Sequence, residues 1–379
     1  MRIGIDARLY GLEHAGLGRY VLRLVQGLVK QDRKDKIILF VRRKYAGDFA
    51  QYKNVTVRIV NAPIYGIAEQ LILPFTFGRE NLDVLHVPHF NAPLFYPGKL
   101  VLTVHDLIKH YSKGKETTTR QPFLYSIKRL GYLFLTSQVI RKADAILTPS
   151  EFVKQDIIRN FKVSSDKITV TYEAVDSDIS PVKLKDQEKK QLLRKYGLTQ
   201  PFLVYTGSVY PHKNVDLLID AVIKHNQNRE VDLSVAIICA RSVFYDRTKD
   251  KISGKGATGY IKMLGFLPDD EVSKVYGLAL ALVHPSKMEG FGLTGLEAMK
   301  AGLPVISSDA SCLPEVYGEA AHYFNPDSID GLVNAIEKIK GERELREKLI
   351  GLGLKQVKKY SWRKMTKETL MVFREVGKK

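Results

Sequence analysis

What constrains this chain most is a rhythm. Short runs rich in Val, Ile and Leu alternate with stretches of helical spacing. They give way once to a polar, Lys-rich segment from Asp176 to Thr199, and then resume. Such runs between turn signals read as strands buried on both faces, and strands that alternate with helices pair in parallel. The first half offers Ile3–Asp6, Ile37–Arg42, Val55–Val60, Val84–Val87, Leu100–Val104, Ala145–Ser150 and Ile168–Tyr172. The second offers Phe202–Tyr205, Leu233–Cys239, Tyr260–Phe266, Leu278–Val283, Val305–Ile306 and Ala321–Phe324. A chain of 379 residues is long enough for two domains. The rhythm therefore predicts two doubly wound α/β domains, residues 1–180 and 190–360, with the Lys-rich segment as linker and a helix at 362–379.

One stretch of the second half concentrates candidate chemistry: His284-Pro-Ser-Lys-Met-Glu-Gly-Phe-Gly-Leu-Thr-Gly-Leu-Glu-Ala-Met-Lys-Ala-Gly-Leu-Pro-Val-Ile306. It follows an apolar strand, passes through Gly290-Phe291-Gly292, and becomes helical from Thr294 to Lys300. A helix that starts after a glycine loop leaves backbone N–H groups free, where its dipole favours an anion. A phosphate-bearing ligand is the first suspect. Glu289 and Glu297 flank the glycines. Thr294-Gly-Leu-Glu297 also fits a capping box, so Glu297 has a purely structural alternative.

Other residues stand where ligands of open α/β sheets bind, beyond the carboxyl ends of strands. His105-Asp106 ends one apolar run, and Ser150 ends another as a helix begins. Each has an ordinary loop or capping alternative. Gly11, Gly16 and Gly18 form a loop before a helix starting near Arg19; the third glycine of a dinucleotide fingerprint is missing. Lys213 precedes a helix from Val215 to His225, where a cation completes an anion site or is simply a surface lysine. His86 and His89 lack a third metal ligand and read as structural or substrate-contacting. Asp176-Ser-Asp178 has a DxD form but lies in the linker, where turn chemistry explains it.

The net charge of +18 favours an anionic partner. No helix-turn-helix, RRM or zinc-finger pattern accompanies it, so specific nucleic-acid binding is not expected. No apolar run approaches the roughly 18 residues of a membrane span. Cys239 and Cys312 are the only cysteines, too few for a disulfide framework, and fit a reducing compartment. The expected location is cytoplasmic. Aromatics and cations mix between Arg120 and Lys142, including Phe123, Tyr125, Lys128, Arg129, Tyr132, Phe134 and Arg141. Such a helix suits weak contact with an anionic membrane face, or ordinary packing on one side and solvent on the other.

Three segments resemble the retaining glycosyltransferases of family four: Thr206-Gly-Ser-Val-Tyr-Pro-His-Lys-Asn214, Leu264-Gly-Phe-Leu-Pro268 and Pro285-Ser-Lys-Met-Glu-Gly-Phe-Gly-Leu-Thr-Gly-Leu-Glu-Ala-Met299. The last matches that family's E-x7-E pattern with Glu289 and Glu297 at its ends, and Leu313-Pro-Glu-Val316 downstream matches as well. Thr103-Val-His-Asp106 and Ser150-Glu-Phe152 are similar to the family's first half, and Glu173-Ala-Val-Asp176 is similar to bacterial mannosyltransferases.

The resemblance implies the GT-B fold, two Rossmann-like domains facing a cleft, with the last helix packing back on the first. The first domain would bind a glycan or lipid-linked acceptor, with Ser150 and Asp106 on its side. The second would bind a nucleotide sugar, GDP-mannose first and a UDP-sugar next, with no metal or other cofactor. Glu297 would hold the ribose hydroxyls and Lys213 the diphosphate. Phe291, Gly292, Leu293 and Thr294 would hold sugar and phosphate through their amides. Glu289 and His105 would flank the transferred sugar, and Gly16 and Gly18 would let the first loop approach the donor. Where the family often has an arginine, this chain has Ser208, a donor-binding residue whose hydroxyl can hydrogen-bond phosphate but cannot neutralise it, leaving more of the charge to Lys213, the helix start, His212 or an arginine elsewhere. Two alternatives accompany this reading: a non-catalytic nucleotide-sugar-binding protein of the same fold, and a basic surface binder.

Overall fold

A computed structural model describes every residue except 33, 65, 112–121, 177, 228–230 and 379; the side chains of 15, 67, 68 and 122–128 also lie outside the description. Two compact units result. One comprises Met1–Glu173 with Ser361–Lys379, the other Ala174–Tyr360.

The described strands of the first unit are β1 (Arg2–Asp6), β2 (Lys36–Val41), β3 (Val55–Ile59), β4 (Val84–Val87), β5 (Leu100–Thr103), β6 (Ala145–Thr148) and β7 (Ile168–Val170). They form one parallel sheet in the order β3-β2-β1-β4-β5-β6-β7. β4, β5 and β6 are buried throughout, as expected of strands covered on both faces. One face packs on the helix Ala15–Gln31 through Val21, Leu24, Val25 and Leu28, and on the helix Trp362–Lys378 through Met365 and Phe373. The other face packs on Leu73, Phe77, Val139, Ile140, Val153 and Ile157.

The second unit contains β8 (Phe202–Thr206), β9 (Ser234–Ile238), β10 (Ile261–Gly265), β11 (Ala281–His284), β12 (Val305–Ser308) and β13 (Ala321–Phe324). Their parallel order is β10-β9-β8-β11-β12-β13. Strand order reverses between β1 and β4 in the first sheet and between β8 and β11 in the second. At such switch points the loops leaving the carboxyl ends diverge and open a crevice.

Several expectations need correction. The glycine loop is not a loop at Gly16 and Gly18, because the helix begins at Ala15. Gly18 is nevertheless constrained: a Cβ there would lie 1.9 Å from the Gly11 carbonyl oxygen. Leu278 to Leu280 precede β11 and do not belong to it. The Lys-rich segment contains a helix, Asp186–Tyr196, closed by Gly197 in a left-handed conformation. The helices Ile67–Gly78 and Val243–Gly254 were not foreseen. Of the mixed aromatic and cationic stretch, Pro122–Lys142 is helical. Arg120 and the side chains of Phe123, Tyr125 and Lys128 lie outside the described residues, as does Ser177 of the DxD sequence. Among the described residues no helix is long and apolar enough to cross a membrane.

Candidate functional site

The switch point of the second sheet assembles the predicted residues from both sides. β8 ends at Thr206 and leads through Gly207-Ser208 to a 3-10 turn, Pro211–Lys213, whose fixed geometry aims the lysine. β11 ends at His284 and leads to Glu289 and the helix Leu293–Lys300. Lys213 and Glu289 meet directly. The ammonium lies 2.7 Å from one carboxylate oxygen and 2.8 Å from the other. Burial would raise the Glu289 pKa, but the Lys213 charge and the His284 N–H override it and hold it well below the ordinary carboxylate range.

The main chain of Glu289 is also fixed. Its N–H donates to Ser311 Oγ at 3.0 Å, and its carbonyl accepts from Cys312 Sγ at 3.3 Å. The buried Cys312 thiol is pushed up, chiefly by desolvation, so it stays protonated. His212, next to Lys213, is forced down to about 4 by burial and by the neighbouring lysine. It is therefore neutral near pH 7, which leaves the positive charge at this turn to Lys213.

Gly292 is the N-cap of the Leu293–Lys300 helix, with φ +89 and no side-chain cap bond. Glycine adopts that left-handed conformation without strain. Thr294 therefore sits inside the first turn and does not cap it, so the capping-box alternative for Glu297 falls away. Glu297 lies one turn further on, half-buried. The first amides of a helix have no intrahelical acceptor, and here Leu293 and Thr294 supply them behind the buried Phe291 ring, which packs edge-on to Tyr360 at 5.3 Å. Ser208 is half-buried, and its carbonyl accepts from the Tyr205 hydroxyl.

Two residues of this site escaped sequence reasoning. His284 Nε2 is 2.9 Å from Glu289 Oε1, and His284 Nδ1 is 2.8 Å from the Tyr317 hydroxyl. Histidine at a strand end beside the motif was a visible signal. Tyr317, on the helix Leu313–Tyr317, gave none.

The first unit places its candidates on its own carboxyl edge. His105 Nδ1 is 3.0 Å from Glu173 Oε1, Nε2 is 3.3 Å from the Pro88 carbonyl, and the ring packs edge-on to Tyr20 at 4.5 Å. Asp106 accepts from the Ile108 amide at 2.9 Å, and Ser150 caps the helix Glu151–Phe161 through Val153 N–H at 3.3 Å. His86 is buried against Thr103 Oγ1 at 2.8 Å, a structural placement. At the switch crevice, Arg8 pairs with Asp6 at 2.6 Å and also with Glu69, all three buried; Asn91 bonds the far oxygen of Glu69. These line a recess with Val87, Pro88 and His89.

Comparison with known proteins identifies the family and the fold. Residues 14–179 match the model described as Glycosyltransferase Family 4, and residues 186–355 match the model described as Glycosyl transferases group 1. The chain is 28% identical to O-antigen chain mannosyltransferase B of Escherichia coli, across 95% of this chain and 96% of that protein. It is 27% identical to O-antigen chain mannosyltransferase RfbU of Salmonella typhimurium, across 73% of this chain and 69% of that protein. The solved structure of Anabaena Alr3699/HepE in complex with UDP and glucose superimposes with a TM-score of 0.72 at 16% identity, covering 98% of this chain and 99% of that one, which establishes a shared fold. With two Rossmann-like parallel sheets of GT-B type and both halves matched, the chain is a glycosyltransferase that belongs to family 4 and resembles the bacterial mannosyltransferases.

Proposed function

We propose that this glycosyltransferase moves a hexose, mannose in the first instance, from a nucleoside diphosphate sugar to a hydroxyl of a glycan or lipid-linked acceptor, with retention and without a metal. The observation that carries the reading is the pairing of half-buried Lys213 with buried Glu289 beside the Gly292-capped helix start. Glu297 takes the ribose hydroxyls; Phe291, Gly292, Leu293 and Thr294 take sugar and phosphate. The mannosyltransferase names of the two relatives favour mannose. GDP-mannose is the first donor to try and a UDP-sugar the second, since Anabaena Alr3699/HepE was solved with UDP and glucose.

In the proposed step the anomeric carbon–oxygen bond to the diphosphate breaks. The acceptor oxygen bonds the same face, and its proton passes to the leaving phosphate oxygen. Lys213 and the helix amides stabilise the negative charge that develops on the diphosphate. Glu289 orients the sugar and offsets the positive charge at its anomeric carbon. Gly16 and Gly18 keep their proposed place at the donor, now as residues of a helical first turn. His105 keeps its proposed place beside the transferred sugar, and Asp106 and Ser150 remain assigned to the acceptor side.

Weak contact with an anionic membrane face on the cytoplasmic side belongs to the same proposal. Phe75, Phe95, Leu130 and Phe134 are exposed on the first unit. Lys142 bonds the carbonyls of Leu94 and Tyr96, and Gln70 bonds the Ala92 carbonyl and the Leu94 amide, so the segments that carry them adjoin.

The test is calorimetry with GDP-mannose, UDP-glucose and ADP-glucose, followed by transfer to a glycan with the product's anomeric configuration read by NMR. Tight binding of one donor and a retained configuration are expected. Binding of none, or an inverted product, would sink the reading; loss of transfer in EDTA would sink its metal-free part.

A further inference from the structure

The groups around Glu289 are joined by hydrogen bonds that admit one arrangement of protons. The Tyr317 hydroxyl, fully buried, lies 2.6 Å from the Gly292 carbonyl oxygen, 3.2 Å from the Gly295 amide and 2.8 Å from His284 Nδ1. A phenol has one proton and two lone pairs. A carbonyl oxygen has no proton, and 2.6 Å is a hydrogen-bond distance that two bare oxygens do not share. The phenol proton therefore goes to Gly292. Its lone pairs accept from the Gly295 N–H and, on the other side, from His284 Nδ1, which must carry hydrogen. His284 Nε2 faces Glu289 Oε1 at 2.9 Å, and that carboxylate already accepts from Lys213 through both oxygens. An ionised carboxylate only accepts, so Nε2 carries hydrogen as well.

We propose that His284 and Tyr317 are positioning residues of the donor site, and that His284 sits there with a proton on both ring nitrogens, tying the Glu289 carboxylate to the first turn of the Leu293–Lys300 helix. The glycines of that turn make room for the tie. A Cβ at Gly295 would lie 2.3 Å from the Tyr317 oxygen, and one at Gly292 would lie 2.7 Å from it. The helix amides and the carboxylate thus move as one body. The groups facing His284 are Glu289 on its own loop, with Lys213 beyond it, and Tyr317 on the other side of the ring; Cys312 bonds the Glu289 carbonyl, and Tyr205 of β8 lies within the field of Glu289. Burial, first, and the Glu289 charge push Tyr205, Tyr317 and Cys312 up, so these three stay neutral. Lys213, Glu289 and His284 then sum to one positive charge where Ser208 contributes none. That balance suits a nucleoside diphosphate arriving at Lys213, because His284 keeps Glu289 ionised and in place when the lysine turns to phosphate. This inference rests on the donor-site reading above.

The experiment uses the whole chain. Histidine-selective 15N spectra, with the His284 signal assigned by its loss in His284→Gln, should show both ring nitrogens protonated at pH 7. A His284 signal with one bare nitrogen would overturn the proton assignment. Tyr317→Phe keeps the ring and removes only the hydroxyl. It should lower kcat/KM for the donor by about tenfold to a hundredfold, leave the acceptor KM unchanged, and alter the His284 spectrum. Tyr323→Phe removes a comparable phenol bond, to the Gly318 carbonyl, that has no link to Glu289. If Tyr317→Phe costs no more than Tyr323→Phe, the positioning role is wrong. A wild-type chain that transfers nothing from any nucleotide sugar would sink the enzyme reading itself, while the spectra would still decide the protonation of His284.

Discussion

Lys213 and Glu289 stand 76 positions apart in sequence, on the two sides of the switch point in one sheet, and the ammonium bridges both carboxylate oxygens at 2.7 and 2.8 Å. Removing one partner of a buried pair leaves the other charge without compensation. Lys213→Ala should therefore cost about 1–3 kcal/mol of stability, less than a fully isolated pair because His284 still donates to Glu289. Urea unfolding reads the loss, and calorimetry should show donor binding abolished. Unchanged donor affinity would remove Lys213 from the site.

Glu297 separates a ligand contact from a helix cap. Gly292, with no side-chain bond, occupies the cap position. Glu297→Ala should thus weaken donor binding by about tenfold or more, the effect of losing hydrogen bonds to a charged acceptor, out of proportion to any change in melting temperature. A large melting-temperature drop with normal donor affinity would return Glu297 to a structural role.

Acid should weaken the first unit before its carboxylates titrate. Burial lowers His86 from its ordinary 6.5 to about 3, and lowers His89 well below 6.5. In that window the unfolded chain binds protons that the folded chain refuses. Stability is then full above about pH 6.5 and falls as pH drops toward 3, by about 1.4 kcal/mol per pH unit for each such group. Denaturant midpoints from pH 7.5 to 4.5 test this. His86→Asn should flatten the slope; a stability that holds constant from pH 6.5 to 5 would count against neutral burial.

Arg8 holds two buried carboxylates, Asp6 and Glu69, at the switch crevice of the first sheet. Arg8→Met leaves both negative charges facing each other and should destabilise by about 3–5 kcal/mol. A loss below about 1 kcal/mol, typical of exposed pairs, would mean the cluster rearranges around water.

Membrane contact is testable by flotation with phosphatidylglycerol vesicles. Phe95→Ser with Leu130→Ser should reduce the floated fraction, and neutral phosphatidylcholine vesicles should capture less of the chain than anionic ones. Equal flotation of variant and wild type would refute contact through these residues.

The parallel sheets were legible because strands covered on both faces must be apolar throughout, and that leaves continuous Val, Ile and Leu runs such as Leu100–Thr103 and Ala281–His284. The Ile67–Gly78 helix was hidden by Pro74 inside it and by apolar residues on every side, which erase the helical period. Gly16 and Gly18 suggested a loop because glycine weakens helices. Tertiary contact overrides that propensity, since Gly18 lies too close to the Gly11 carbonyl for any side chain. The Asp186–Tyr196 helix hid in a polar segment because its residues are exposed or only half-buried. At the site, Glu289, Glu297 and Lys213 were visible as motif residues. Their mutual geometry was not, because spacing along the chain says nothing about a pairing across two strands. Tyr317 was invisible for the same reason: its hydroxyl acts on a turn 25 residues upstream.

The helix Trp362–Lys378 has a consequence for the order in which the molecule is made. Its Phe373 is fully buried in the first unit's core, its Arg374 pairs with Asp35, and Lys99 bonds the Gly377 carbonyl. The whole second unit, Ala174–Tyr360, is inserted between the two segments of the first. During synthesis the first sheet emerges early but lacks one of its covering helices until residues 362–378 have left the ribosome. The second unit, continuous in sequence, can close before it. A truncation at residue 173 would therefore release a sheet with an apolar face open to solvent, whereas supplying residues 361–379 as a separate peptide should restore it.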